Sequence, residues 1–294
     1  MKERIVIGTD QCRAEIAWLG AQLESLKSAD GREYLWQRDP QWWGGCAPVL
    51  FPIVGALRKG RTVINGHIYE MPQHGLARRR EFSLLSHTEN EAVFALRADE
   101  LTKKQYPFDF ELQIIYRAEG ASLATIYRVF NRGGAPMPYA IGGHPAFNIP
   151  LAGGERFEDY RIEFEREETI SCPSVLMEEC LIDPSHMTER LHAEKVIPLT
   201  HDLFYGDALI FEGLSSRAVT LCGGKEGHGL TMEFASFPML GIWSAKNDGP
   251  FVALEPWCGC ATRTDENDEF AEKRWMRMLP AGQMEEFSYT VTIF

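Results

Sequence analysis

Apolar and polar side chains alternate one for one over much of this chain. Phe110, Leu112 and Ile114 alternate with Asp109, Glu111 and Gln113, while Phe287, Tyr289, Val291 and Ile293 alternate with Glu286, Ser288, Thr290 and Thr292. A period of two sends one set to a core and the other to water, so both segments are predicted to be half-buried strands. Shorter runs of strand character lie at residues 92–96, 123–130, 160–164, 208–211, 218–221, 230–234 and 251–254. Asn65-Gly66, between Thr62-Val63-Ile64 and Ile68-Tyr69, suits a two-residue type I′ hairpin turn, because both central positions need positive φ. Glu119-Gly120 and Asn131-Arg132-Gly133-Gly134 punctuate later strands. Helical signals are few. Residues 99–105 predict a short turn before Pro107; residues 266–279, with Phe270, Met276 and Leu279 loosely on one face, stay open between helix and irregular chain. Many short strands, frequent turns, no internal repeat and no alternating helices predict an all-β fold, a large and mostly antiparallel sandwich.

Composition supports a large core. Of 294 residues 45% are hydrophobic, with 17 Phe, 9 Tyr and 7 Trp, which excludes wholesale disorder. That length suggests two domains at ~150 residues each, although large sandwiches reach it as one unit. A formal charge of −12 argues against duplex nucleic acid and anionic membranes as partners, since like charges repel. The start, Met1-Lys2-Glu3-Arg4-Ile5-Val6, soon turns polar at Gly8-Thr9-Asp10 and has no signal-peptide pattern. The longest uncharged stretches, residues 46–57 and 234–245, contain Pro or Gly and fall short of the ~18 residues of a membrane span. Seven cysteines, an odd count without a signal peptide, point to reduced thiols and a cytoplasmic protein. Cys258-Gly259-Cys260 is the one close pair, and neither a second pair nor spaced histidines accompany it as a metal site would require.

Four stretches depart from ordinary strand or turn sequence. In Met71-Pro72-Gln73-His74-Gly75-Leu76-Ala77-Arg78, a His and an Arg stand four apart beside a Gly that permits close approach; the alternative is a surface turn. In Gly142-Gly143-His144-Pro145-Ala146-Phe147-Asn148, two glycines and a proline force an unusual backbone around His144, which is otherwise a structural histidine. In Leu254-Glu255-Pro256-Trp257-Cys258-Gly259, a carboxylate ends an apolar run, where a rigid setting can perturb its pKa; the alternative is a charge pointing to water. Tyr205-Gly206-Asp207 is the weakest signal, since an Asp after Gly commonly just turns the chain. No nucleophile elbow, P-loop, dinucleotide fingerprint or H-E-x-x-H spacing is present. His186, His192 and His201, with Glu165, Glu167 and Glu168, read as solvated surface.

Taken in order, these stretches resemble the galactose-mutarotase-like superfamily of aldose 1-epimerases, most closely its LacX-type branch. Tyr34-Leu35-Trp36-Gln37, Ala47-Pro48-Val49-Leu50-Phe51-Pro52-Ile53-Val54-Gly55 and Leu279-Pro280-Ala281-Gly282 extend the resemblance over nearly the whole chain. It implies one domain over residues 1–294, a β-supersandwich with an open sugar cleft, and exchange of α and β anomers without a metal or organic cofactor. Glu255 matches the general base, His144 the general acid, and His74 a second histidine holding the ring oxygen and nearby hydroxyls. Arg78 and Asp207 match sugar-contacting positions, Arg58 more loosely, and Gln73 is placed in the cleft. Trp257 and Phe147, each close to a catalytic candidate, are expected as aromatic walls of the cleft; the alternative for both is core packing. Three departures are visible: Leu76 where many members have Phe, Arg79 where an acid often follows, and Ala56 where many carry Arg. The last two alter charge near the cleft mouth and bear on which sugar is bound.

Anomers interconvert by ring opening, which needs a base at the C1 hydroxyl and an acid at the ring oxygen. A Glu with reference pKa ≈ 4.3 and a His near ≈ 6.5 already stand in that order, and the Glu255 carboxylate is expected to raise His144. The expected substrate is a free aldohexose, acted on by a monomer or homodimer. A hexose 6-phosphate held by Arg78-Arg79-Arg80 is the rival. A non-catalytic sugar sensor, or a lyase or hydrolase on the same sandwich, are the other classes, since fold does not fix function.

Overall fold

In a computed structural model, residues 3–294 are described, so the first two residues of the Met1–Val6 start lie outside them. Two antiparallel sheets dominate. The larger has nine strands, in spatial order Leu181–Pro198, Tyr160–Leu176, Ala218–Gly223, Gly229–Glu233, Met284–Ile293, Ser122–Asn131, Phe110–Glu119, Glu91–Arg97 and Ser83–His87. The alternation read from Phe110–Ile114 and Phe287–Ile293 is realised there: Phe110, Leu112, Ile114, Phe287, Tyr289, Val291 and Ile293 are all buried in one core. The smaller sheet runs Leu209–Glu212, Met239–Trp243, Phe251–Cys258, Ile141–Gly143 and Val49–Leu50, with Ala146–Asn148 also paired to Phe251–Cys258. The fold is the all-β, mostly antiparallel sandwich expected from the sequence.

The strand Phe251–Cys258 is buried along its whole length because it is covered on both faces. Val252, Leu254 and Cys258 enter the core between the sheets. Phe251 and Ala253 pack in a second cluster with Trp36, and Trp257 in a third with Leu50 and Ile210. Glu255 sits between those two on the outer face, which is the floor of the cleft. Register settles its neighbours: Gly241 pairs with Glu255, Trp243 with Ala253, and Gly142 with Trp257.

The two glycines before His144 serve opposite faces. A Cβ on Gly142 would lie 2.8 Å from Cδ1 of Trp257, and one on Gly143 would lie 2.9 Å from the Tyr289 ring. Asn65 and Gly66 have φ of 51° and 77° and join Arg61–Ile64 to His67–Glu70, as the turn chemistry predicted. The short helix Glu100–Lys103 is capped by Asp99, which accepts from Leu101 N and Thr102 N. Residues 266–279 resolve mainly as irregular chain, with a 3₁₀ turn at Phe270–Glu272 and a strand at Arg277–Leu279.

One feature of the fold was not foreseen. Tyr160–Leu176 and Leu181–Pro198 form a long bulged hairpin whose tip is tied to the loop after Phe251–Cys258 by Ile182 N to Thr262 O (3.1 Å) and Thr264 N to Ile182 O (2.9 Å). The acidic and histidine-bearing residues read as solvated surface lie mostly on this hairpin, but Glu168 is buried and His201, beyond the hairpin, is half-buried. Glu168 accepts from Ser216 N and Oγ, both at 2.6 Å, and from Ser215 N. His201 stacks on Phe157 at 4.0 Å. All seven cysteines are free thiols, five of them buried, including Cys258 and Cys260. Among the described residues no helix is long and apolar enough to cross a membrane.

Candidate active site

The outer face of the smaller sheet, the loops carrying His74 and Asp207, and the tip of the long hairpin enclose a cavity of about 270 Å³. Glu255 and His144 lie at its base in direct contact, His144 Nε2 to Glu255 Oε1 at 3.3 Å. Both are nearly inaccessible, and the Trp257 side chain, a hydrogen-bonding neighbour of Glu255, opposes part of the effect of its burial. Burial drives the two titrations toward each other. It pushes Glu255 well above the carboxylate range, with the charge of Asp207 adding to the effect. It pushes His144 well below its usual range, with His74 and Arg78 adding to it. The expectation that Glu255 would lift His144 is therefore reversed: desolvation of a buried imidazolium outweighs the neighbouring carboxyl.

His74 sits above the pair with φ 64°, its ring edge-on to His144 at 5.6 Å. Its backbone N–H donates to Gly55 O (2.8 Å), and Gly55 N–H donates to His74 Nδ1 (3.2 Å). Accepting at Nδ1 leaves the proton on Nε2, and burial, aided by Arg78, lowers the pKa to about 3, so His74 is a neutral donor. Arg78 follows in the 3₁₀ turn Ala77–Arg79 and lines the cavity with no ion-pair partner among the described residues. Burial lowers its pKa, and Arg79 adds to that. Arg79 itself is exposed. Asp207 has φ 81°, accepts from Ala208 N at 2.8 Å, and is pushed up by burial. Gln73 stands at the rim and Trp257 forms part of the wall.

Two expected site residues lie elsewhere. Phe147 is fully buried in the core between the sheets. It pairs with Val252, and directly paired residues share a face, so the one-residue step from Ala146 carries it away from the cleft. Arg58 ion-pairs with Asp268 (2.7 Å) and donates to the carbonyls of Arg263 and Glu266 (2.9 and 3.0 Å), fastening the 263–268 loop. Its guanidinium is spent on structure. The sequence reading also missed several walls: Trp43, stacked on His144 at 4.8 Å, Trp243, edge-on to it at 5.5 Å, and Val175, Cys180 and Ile182 from the hairpin tip. Trp42-Trp43-Gly44-Gly45, two tryptophans before two glycines, was a signal for the first; the hairpin tip gave none.

The comparisons agree with this architecture. A model of the family described as aldose 1-epimerase matches residues 3–283. Protein LacX, plasmid, of Lactococcus lactis subsp. lactis is 40% identical over 284 residues, covering 94% of each chain. A putative glucose-6-phosphate 1-epimerase of Salmonella typhimurium is 27% identical over 179 residues, 53% of this chain and 54% of its own. Among solved structures, a galactose mutarotase related enzyme from Lactobacillus acidophilus superposes with TM-score 0.93 at 31% identity, covering 99% of this chain and 97% of its own. With a family match over almost its full length and a 40% identical relative of equal span, this chain belongs to the aldose 1-epimerase family.

Proposed function

We propose that this protein is an aldose 1-epimerase that interconverts the α and β anomers of a free aldohexose, with Glu255 and His144 exchanging protons with the sugar. The observation that carries the reading is the buried contact of Glu255 Oε1 with His144 Nε2 at 3.3 Å, at the base of a cavity that His74, Arg78 and Asp207 also line. In ring opening, Glu255 takes the proton of the C1 hydroxyl as His144 gives one to the ring oxygen, and the C1–ring oxygen bond breaks. The pair is then neutral. After rotation about C1–C2, His144 recovers its proton from the former ring oxygen as that oxygen attacks the other face of C1, and Glu255 returns its own. The pair thus holds one proton throughout, and burial, which raises Glu255 and lowers His144, works in the direction of the open-chain stage.

Neutral His74 and cationic Arg78 supply donors for sugar oxygens, and Asp207 supplies an acceptor. The charge balance favours an unphosphorylated sugar: one guanidinium lines the cavity against two carboxyl groups, Arg79 faces solvent, and Ala56 at the wall brings no charge. Glu255→Gln separates turnover from binding. It should retain sugar affinity while anomer exchange falls by about 10²–10⁴-fold. Retained exchange in that variant would refute the assignment, and binding without exchange in the wild type would favour a sugar sensor.

A further inference from the structure

We propose that Trp43 is a positioning residue for His144, its indole face fixing the plane of the imidazole and favouring its protonated form. The proposal rests on the acid–base reading of the Glu255–His144 pair. A catalytic histidine is usually oriented by a hydrogen bond on the nitrogen that does not react. Here no other residue holds Nδ1, so aromatic rings set the orientation instead. Trp243 and His74 meet His144 edge to face, at interplanar angles of 80° and 84°, whereas Trp43 lies nearly parallel to it, at 22° and 4.8 Å. A cation is drawn to the face of an aromatic ring, most strongly to Trp in a water-poor site.

Trp43 is itself a firm platform. Its N–H donates to Asp39 O (3.0 Å), its carbonyl accepts from Trp36 Nε1 (2.8 Å), and its ring packs on Trp243 and Phe251 at 5.3 and 5.7 Å. The groups facing His144 divide by sign. His74 and Arg78, from the loop above, oppose its protonation. Glu255, on the strand below, supports it when ionised, and Asp207 bears on it through Glu255. Trp43 is the face that supports protonation without a competing proton of its own.

The test is imidazole NMR titration of histidine-labelled wild type, Trp43→Leu and Trp43→Phe from acid to alkaline pH, with His144→Asn identifying the His144 signals. Leu keeps apolar cover but has no ring face, while Phe keeps the face; if Trp43→Leu does not fold, Trp43→Met replaces it. The His144 midpoint should fall by about one pH unit, tenfold in proton affinity, in the Leu variant and by less than half of that in the Phe variant. The acid limb of kcat/KM should follow the midpoint in each variant. Identical His144 signals in all three proteins, titrating or not, or a Phe variant that matches Leu, would overturn the proposal. A midpoint shifted in Trp43→Leu, with a wild type that exchanges no anomers, would defeat the epimerase reading alone; an active wild type with unshifted variants would defeat this proposal alone.

Discussion

At the scale of single residues, the site works by withholding water from a carboxyl and an imidazole, which disfavours the charged form of each. Burial raises Glu255 and lowers His144, so a second proton binds the pair only at low pH and its one proton is lost above the ordinary carboxylate range. The kcat/KM profile should therefore keep its acid limb well below pH 6.5, where an exposed histidine would place it. An acid limb at pH 6.5 or above would mean that His144 is not desolvated as described. Asp207, also raised by burial, adds a proton-binding site in acid that Asp207→Asn removes. Arg58 makes a contrasting prediction. Arg58→Ala should lower stability to denaturant by about 2 kcal/mol, through lost charged hydrogen bonds, and leave sugar KM unchanged. A raised KM at unchanged stability would return it to the cleft. Residues with unusual local sequence were legible from the chain: His74 beside Gly75, His144 after two glycines, and Glu255 ending an apolar run all reach the cavity. Phe147 and Arg58 were misplaced because proximity in sequence does not say which way a side chain points. One step along a strand changes face, and a guanidinium takes whichever carbonyls its loop offers.

At the scale of elements, the strand Phe251–Cys258 links core to chemistry. Its inner face is held by the larger sheet, so Glu255 on the outer face stands on one of the most thoroughly packed segments of the chain. The strands were readable because the hydrophobic period is two. The long hairpin was not, because Tyr160–Leu176 and Leu181–Pro198 are bulged and their exposed faces are charged, which breaks the alternation and blunts an edge strand. Its tip places half-buried Cys180 against the cavity, while Cys222, the other half-buried thiol, lies on a different strand. A thiol reagent should therefore modify Cys180 before the five buried cysteines. Bound sugar at about ten times its Kd should slow that reaction about tenfold by mass action and leave Cys222 unaffected. Equal protection of both thiols, or of neither, would mean that the tip is not a wall of the binding site.

At the scale of the whole molecule, two stacked sheets supply rigidity and the loops around one outer face supply the site. The acidic surface, with a net charge of −12, leaves Arg78 as the cation lining a cavity fit for one small polar ligand. Two-dimensional exchange NMR on equilibrated glucose, galactose and their 6-phosphates tests the central claim most directly. Cross-peaks between α and β anomers that build up faster than in buffer alone, for a free hexose and not for its 6-phosphate, are the predicted result. Sugar lines broadened by binding, with α–β exchange no faster than in buffer for any of these sugars, would contradict it.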